Sequence, residues 1–393
     1  MTSKQLMCIN DEGHSIHGAR QSGTPASGRW RRAGFLGLVL GAAAMVASAQ
    51  QEGQSPSNAG SQGDERAIII TFDAPGAVYG TSPNGINPAG AITGYYYDVN
   101  GLSHGFLRAP DGKFTTFEVP GAGTGVFQGT TPAAINPAGA ITGSYYDASN
   151  VLHGFLRAAG GTITTFDPPD SVGTLAWGIN PAGAITGSYT VASGGAASFV
   201  RAPDGTFTLF QDPGAVYGTY ASGINPAGAI TGNYFDSSNV SNGFVRAPDG
   251  TFTTVDPPGA IGCPQFSGCR TYAGLINVAG VIAGTYFDAN DVQHGYLRAV
   301  DGTFTTVDVP GAAGTGFGAI NPAGAATGTY TDASGTGHGF VRGVGGAIAT
   351  FDAPDAVNGT SPTGINPAGA ITGYYYDVNY VPHGFLAVIR KGQ

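Results

Sequence analysis

One phrase governs this sequence. Ile-Asn-Pro-Ala-Gly, or a close variant, recurs with its asparagine at 87, 136, 180, 225, 277, 321 and 366. The successive spacings are 49, 44, 45, 52, 44 and 45 residues, a period shared by propeller blades, kelch-like units and some helical arrays. Helical arrays are excluded, because every repeat carries helix-breaking Gly and almost every one carries Pro. Gly and Pro supply 67 and 25 of the 393 residues. Only 10% of the chain is charged, which removes long amphipathic helices and coiled coils. Plain disorder fails too, since 41% hydrophobic and 10% aromatic residues suffice to bury a core. An all-β chain of short strands and tight turns remains.

Within the first repeat the pattern predicts four strands. Ser82–Asn87 leads into the turn Asn87-Pro88-Ala89-Gly90, whose Pro and Gly positions mark a type I turn. Ala91–Asp98 and His104–Ala109 follow, then a second Pro/Gly turn at Ala109-Pro110-Asp111-Gly112, then Lys113–Glu118. Aromatic residues fall on both parities, Tyr95 and Tyr97 against Tyr96, so these sheets are covered on both faces. The ends then settle the topology. The segment Ala67–Asp73 matches a fourth strand such as Thr251–Asp256, and His383–Arg390 is a third strand with no fourth after it. Head and tail make one whole unit, which predicts a seven-bladed β-propeller over residues 67–393. The N-terminal strand completes the last blade and removes both free edges.

The N-terminal segment is a different kind of text. Arg29, Arg31 and Arg32 precede an apolar run from Ala33 to Val46, and Ala47-Ser48-Ala49 supplies small residues before Gln50. That order reads as a secretory signal peptide over residues 1–49, followed by a flexible linker over 50–66. Export is expected by the general secretory route, with a partial likeness to a twin-arginine signal, to the periplasm or the extracellular space. The 16 basic and 25 acidic residues fall to 11 and 23 without residues 1–49, and such an acidic chain disfavours nucleic-acid and anionic-membrane partners. A monomer without stable membrane insertion is expected. Cys263 and Cys269 are the two cysteines after the signal, and an oxidising compartment predicts a small-loop disulfide between them.

The set Gly85-Ile86-Asn87, Gly90, Gly94 and His104-Gly105-Phe106-Leu107 resembles the HAF-type extracellular repeat family, and similar sets cover residues 67–390. The chain departs from that family in carrying His-Gly-Phe for His-Ala-Phe, and in its Asp-Pro-Pro-Gly strand ends. The resemblance implies secretion and a propeller-like repeat fold, and no established activity.

Candidate site residues follow from the loops. The tight turns share one face and the longer, varied connections share the other, where binding residues belong. Trp177, Tyr220, Arg270 with Tyr272, and Phe317 stand just before the first strand of their repeats, where others have Ser, Thr, Pro or Gly. Tyr79, Phe127 and Tyr217 sit slightly earlier. Aromatics at a channel mouth suit sugars or apolar ligands, and the alternative is that they plug gaps between blades. Asp98 with Asn100, Asp288 with Asn290, and Asp377 with Asn379 are oxygen-rich loop pairs that could hold Ca²⁺, although hairpin loops favour the same residues. No other cofactor is expected.

The five histidines after the signal, His104, His153, His294, His338 and His383, fall at one position of the repeat. Such symmetry predicts a frame role, with a bond to the Asp that ends the second strand, rather than a single catalytic base. The seven repeat asparagines are expected to cap their own turns, and the strand glycines Gly94, Gly143, Gly187, Gly232, Gly284, Gly328 and Gly373 to mark a bulge or close approach between blades. Repeat three carries Thr190 and Ser198 in place of the Asp and His, and repeat five lacks both turn prolines, at Val278 and Val300. The functional expectation is a secreted, non-catalytic binding or scaffold module that recognises glycans or a cell-surface protein. The alternatives are a propeller enzyme acting on polysaccharide, as lyase or hydrolase, and a purely structural surface protein.

Overall fold

In the computed structural model, residues 65–261 and 270–391 are described. The expected signal peptide, most of the expected linker and the Cys263–Cys269 pair expected to be a disulfide lie outside them. Repetition of the sequence is repetition of the structure: twenty-eight strands and no helix appear among the described residues, so no helix there is long and apolar enough to cross a membrane. In the first repeat the strands are Thr81–Ile86, Ile92–Tyr97, Ser103–Arg108 and Phe114–Phe117, paired in that order as an antiparallel meander. The other repeats copy it. Five sheets have four strands, and one of eight strands joins the first two repeats through a single parallel pairing, Ser103 with Gly129.

The circle closes as expected. Glu65–Phe72 pairs antiparallel with Pro382–Lys391 over eight residues, so the N-terminal strand becomes the fourth strand of the last repeat. At the inner edge Thr363 Oγ1 donates to the Pro83 carbonyl at 2.8 Å, 280 residues away in sequence. First strands of neighbouring repeats face one another around the centre, and fourth strands lie outermost.

Packing explains why the repeat needs its particular residues. Phe106, Phe155, Phe199, Phe244, Tyr296, Phe340 and Phe385 are fully buried, one from each third strand. Each contributes roughly 1.5–3 kcal/mol by burial. They pack with the second-strand residues Ile92, Ile141, Ile185, Ile230, Ile282, Ala326 and Ile371. Successive sheets are also fastened by a cation over a ring: the guanidiniums of Arg108, Arg157, Arg201 and Arg246 lie 4.7–5.1 Å from Phe72, Phe117, Phe166 and Phe210 of the preceding repeat.

Two glycine positions are fixed by close approach. A Cβ at Gly94 would stand 2.1 Å from the Ser82 carbonyl oxygen, at the bulge where the first strand slips register between Pro83 and Gly85. Of the two readings expected for these glycines, the bulge holds, and the close approach is across neighbouring strands of one sheet. The glycine of His-Gly-Phe has a separate cause. A Cβ at Gly154 or Gly384 would sit 2.4 Å from the ring of Phe166 or Phe72 in the adjoining fourth strand, so the fourth-strand phenylalanine excludes the alanine of the HAF-type pattern.

Candidate functional site

The asparagine turns do two things at once. Each Asn side-chain oxygen accepts the amide four residues on, as Asn136 Oδ1 does from Ala140 at 2.9 Å. That is the expected cap. The side-chain nitrogen then donates to the backbone carbonyl of the next repeat's asparagine. Such bonds run from Asn136 to Asn180, to Asn225, to Asn277, to Asn321, to Asn366 and on to Asn87, at 3.2–3.5 Å. At the remaining junction Asn84 Nδ2 donates to the Pro132 carbonyl at 2.8 Å. All seven asparagines are buried, and six of them fasten one repeat to the next.

Each histidine is held in a cage at the opposite, loop-rich face. His153 Nδ1 lies 2.7 Å from Asp167 Oδ2 and its Nε2 3.6 Å from Asp147 Oδ2. His294 repeats this with Asp308 and Asp288, His338 with Asp352 and Asp332, and His383 with Asp73 and Asp377. His104 uses Glu118 and Asp98. The carboxylate ending the second strand was anticipated in sequence. The second one, fourteen residues after the His in four cages and Asp73 in the fifth, was not, because it follows the fourth strand and meets the imidazole only through pairing. A tyrosine forms the floor: Tyr96, Tyr145, Tyr286, Tyr330 and Tyr375 stack on the five imidazoles with centroids 4.9–5.3 Å apart.

The charges agree with this geometry. The hydrogen bond from Asp73 raises His383 above the ordinary imidazole value against the opposing effect of burial. Burial opposes charge on His338 as well, yet its bonds to Asp352 and Asp332 raise it. The Val151 amide holds Asp147 below the usual carboxylate range. Burial, with Asp73 nearby, pushes the Tyr375 phenol up to about 12. These are imidazole–carboxylate clusters in which every member already has partners, which is the arrangement of a frame.

Two repeats lack the imidazole. In repeat four Asn242 takes its place, donating to Asp236 Oδ2 at 3.1 Å. The cation there is Arg270, which donates to Asn242 Oδ1 at 3.0 Å, lies 3.6 Å from Asp256 Oδ2 and also bonds the Ala260 carbonyl. A sequence candidate for ligand contact thus clamps this cage. In repeat three, register places Ala197 opposite Tyr189 where His104 stands opposite Tyr96. The vacated positions are therefore Ala197 and Val191, one residue off from Ser198 and Thr190 as read in sequence.

The remaining candidates separate by exposure. Phe317 packs on Phe340 at 5.5 Å, and Tyr220 packs edge-on against Phe235 at 5.7 Å, its phenol raised by burial. Trp177 is half-buried in the strand Ser171–Ile179, and Tyr272 is half-buried in Thr271–Ile276. These four occupy three different register positions around the bulge, so they do not form one row. Tyr79, Phe127 and Tyr217 are exposed, at 46%, 71% and 42%. Sequence reasoning missed Tyr380, 70% exposed, because it lies in a second-to-third connection rather than before a first strand.

Three of these exposed rings sit on adjoining loops. The loop bearing Tyr380 abuts that of Tyr79, where a Cβ at Gly80 would meet Pro382 at 2.4 Å. Tyr79 and Val78 donate their amides to the Tyr97 carbonyl. Phe127 donates its amide to the Gly101 carbonyl and sets its ring against Tyr97 at 6.2 Å. Val78, Val99, Val126 and Val378 are exposed on the same loops. The last, first and second repeats therefore present one aromatic and aliphatic arc.

The loop pairs considered for Ca²⁺ use their polar groups internally. Asp98 Oδ1 accepts the amides of Asn100 and Leu102 at 2.8 and 2.9 Å, and Asn100 Nδ2 donates to Asp98 Oδ2. Asn290 bonds Asp288 in the same way, its backbone amide reaching Oδ1 at 2.8 Å and its Nδ2 reaching Oδ2 at 3.3 Å. Asn379 does so with Asp377, at 2.8 and 3.2 Å. In each loop the asparagine turns an amide nitrogen, a donor, toward the aspartate that was to share a cation with it. That is the bonding of an ordinary hairpin connection. Among the described residues no group of three or more His, Cys, Asp or Glu side chains converges as a metal site.

No family model and no curated protein matches the chain. Solved structures do. A virginiamycin B lyase from Staphylococcus aureus aligns over 82% of this chain and 100% of its own, with 16% identity and a TM-score of 0.53. The acylaminoacyl peptidase of Pyrococcus horikoshii aligns over 78% of this chain and 51% of its own, with 9% identity and a TM-score of 0.51. A fucose-recognising lectin from Aleuria aurantia, described as a six-bladed β-propeller, aligns over 70% and 96% with 13% identity and a TM-score of 0.42. At these identities the likeness of the lyase and the peptidase is one of fold alone. With the closed circle of meanders, the chain is a β-propeller.

Proposed function

We propose that this protein is a secreted, non-catalytic seven-bladed propeller that binds carbohydrate through the aromatic arc of its loop face. The blade count follows from treating the eight-stranded sheet as two blades bridged at Ser103 and Gly129, which gives one blade per asparagine turn. Secretion rests on the basic, apolar and Ala-Ser-Ala order of residues 29–49.

One observation carries the binding reading: Tyr380, Tyr79 and Phe127 expose their rings on adjoining loops of a rigid frame. An isolated exposed ring needs no explanation, whereas several grouped on one face mark an interaction site. Flat aromatic faces that keep contact with water suit the alternating C–H and hydroxyl surface of a pyranose. The caged histidines offer no unpartnered base, which favours binding over catalysis.

The reading is tested by screening the mature protein against a glycan panel and titrating the best binder into Phe127→Ala, Tyr79→Ala and Tyr380→Ala. Each variant is expected to weaken binding at least about tenfold with an unchanged melting temperature. Failure of the whole panel, or full binding by all three variants, overturns it.

A further inference from the structure

Every second-to-third connection turns on one residue in the left-handed region, whose amide donates to the carbonyl three residues back. Six repeats place Gly101, Asn150, Gly194, Asn239, Asp291 or Gly335 there, at φ between 57° and 92°. Those residue types adopt that conformation readily. The last repeat places Tyr380 there, at φ 61°. Phe127 repeats the anomaly on the connection into the second repeat, at φ 60°. A bulky aromatic in this region is strained, and such strain gathers at functional sites. Neither ring offsets it by burial, since Phe127 and Tyr380 are the most exposed aromatics among the described residues, at 71% and 70%.

Spacing and charge narrow what these rings meet, on the reading that the arc binds carbohydrate. Tyr79 and Phe127 stand on equivalent connections of neighbouring repeats, about one sheet-to-sheet distance apart, ~10 Å. That is wider than one pyranose, and rings this open cannot enclose one. Each ring is a single platform, and a ligand meets several of them only if it is a chain. The loops at 73–80, 98–103, 118–128 and 377–382 contain no Lys or Arg. Asp73, Asp98, Glu118 and Asp377 bring four carboxylates there against two imidazoles, His104 and His383. A polyanion would meet like charge on this face. We propose that the arc lies along the interior of a neutral polysaccharide, with Tyr380, Tyr79 and Phe127 each stacking on a different sugar of one chain.

Calorimetric titration of the mature protein with neutral oligosaccharide ladders (cello-, xylo-, manno- and malto-series, from the monosaccharide upward) tests the assignment. Oligogalacturonate of matched length is the charged comparator. Affinity for one ladder should climb at least about tenfold with chain length before it levels off, with the comparator at least about tenfold weaker. Tyr380→Asn installs the residue that two sister repeats carry, so the melting temperature should hold or rise. Its affinity for the longest chains should drop about tenfold, and the ladder should level off at shorter chains. Affinity that does not grow with length, equal binding of oligogalacturonate, or full affinity for long chains in Tyr380→Asn overturns this inference and leaves carbohydrate binding standing. No binding to any ladder overturns it as well, and the carbohydrate reading falls with it when the wider glycan panel is also silent.

Discussion

The asparagine ring at the inner edge and the imidazole cages at the loop face are both built once per repeat, yet they have diverged differently. All seven asparagines are present and buried, whereas the imidazole is replaced by Asn242 with Arg270 in one repeat and by Ala197 in another. The difference lies in what each bond joins. An asparagine links its own turn to the next repeat, so replacing one breaks a junction and strands a buried donor. A cage joins strands within a single sheet that already share backbone bonds, so its loss leaves the circle intact. Two cages are exceptions: Arg270, whose carbonyl bonds Phe287 of the fifth repeat, clamps Asn242 and Asp256 of the fourth, and His383 meets Asp73 across 310 residues.

The largest expected effect is at the ring. Asn136→Ala removes the bond to the Ala140 amide and the one to Asn180, and should cost about 2–4 kcal/mol in denaturant unfolding. A cost below that of a cage variant would break the comparison. Next come the cages themselves. His153→Ala should cost about 1 kcal/mol, as the loss of a partly exposed side-chain hydrogen bond does. His383→Ala, of similar chemistry, should in addition speed proteolysis and amide exchange within residues 65–72, because it releases the closing strand. Equal protection of that strand in both variants would mean the seam is no different from any other cage.

The smallest effect is with pH. His338 and His383 have raised values in the folded state, so the fold binds their protons more tightly than the unfolded chain does. Their stabilisation is complete below the unfolded imidazole value of about 6.5 and is lost as pH rises through the higher folded values. Stability should therefore fall between about pH 6 and pH 8, by less than about 1 kcal/mol per cage, and the melting temperature with it. His383→Gln should flatten the slope. The lowered carboxylates, Asp147 and Asp288 among them, act oppositely and lose their contribution in acid as pH falls through their folded values.

Strand number, turn chemistry and the split repeat were legible from sequence because each is local or periodic: Pro and Gly at Asn87–Gly90, a fourth-strand pattern at Ala67–Asp73. The frame role of the histidines was legible for the same reason, as a position that repeats. Tertiary structure alone decided the rest. It set a second carboxylate against each imidazole, turned the asparagine caps into links between repeats, and packed Phe317 inward while leaving Tyr380 in water. Those outcomes depend on which strand lies beside which and on how far a loop stands from its neighbour. A chain's local pattern fixes its strands, whereas contacts fourteen residues apart exist only once those strands pair, and contacts three hundred apart only once the circle has closed.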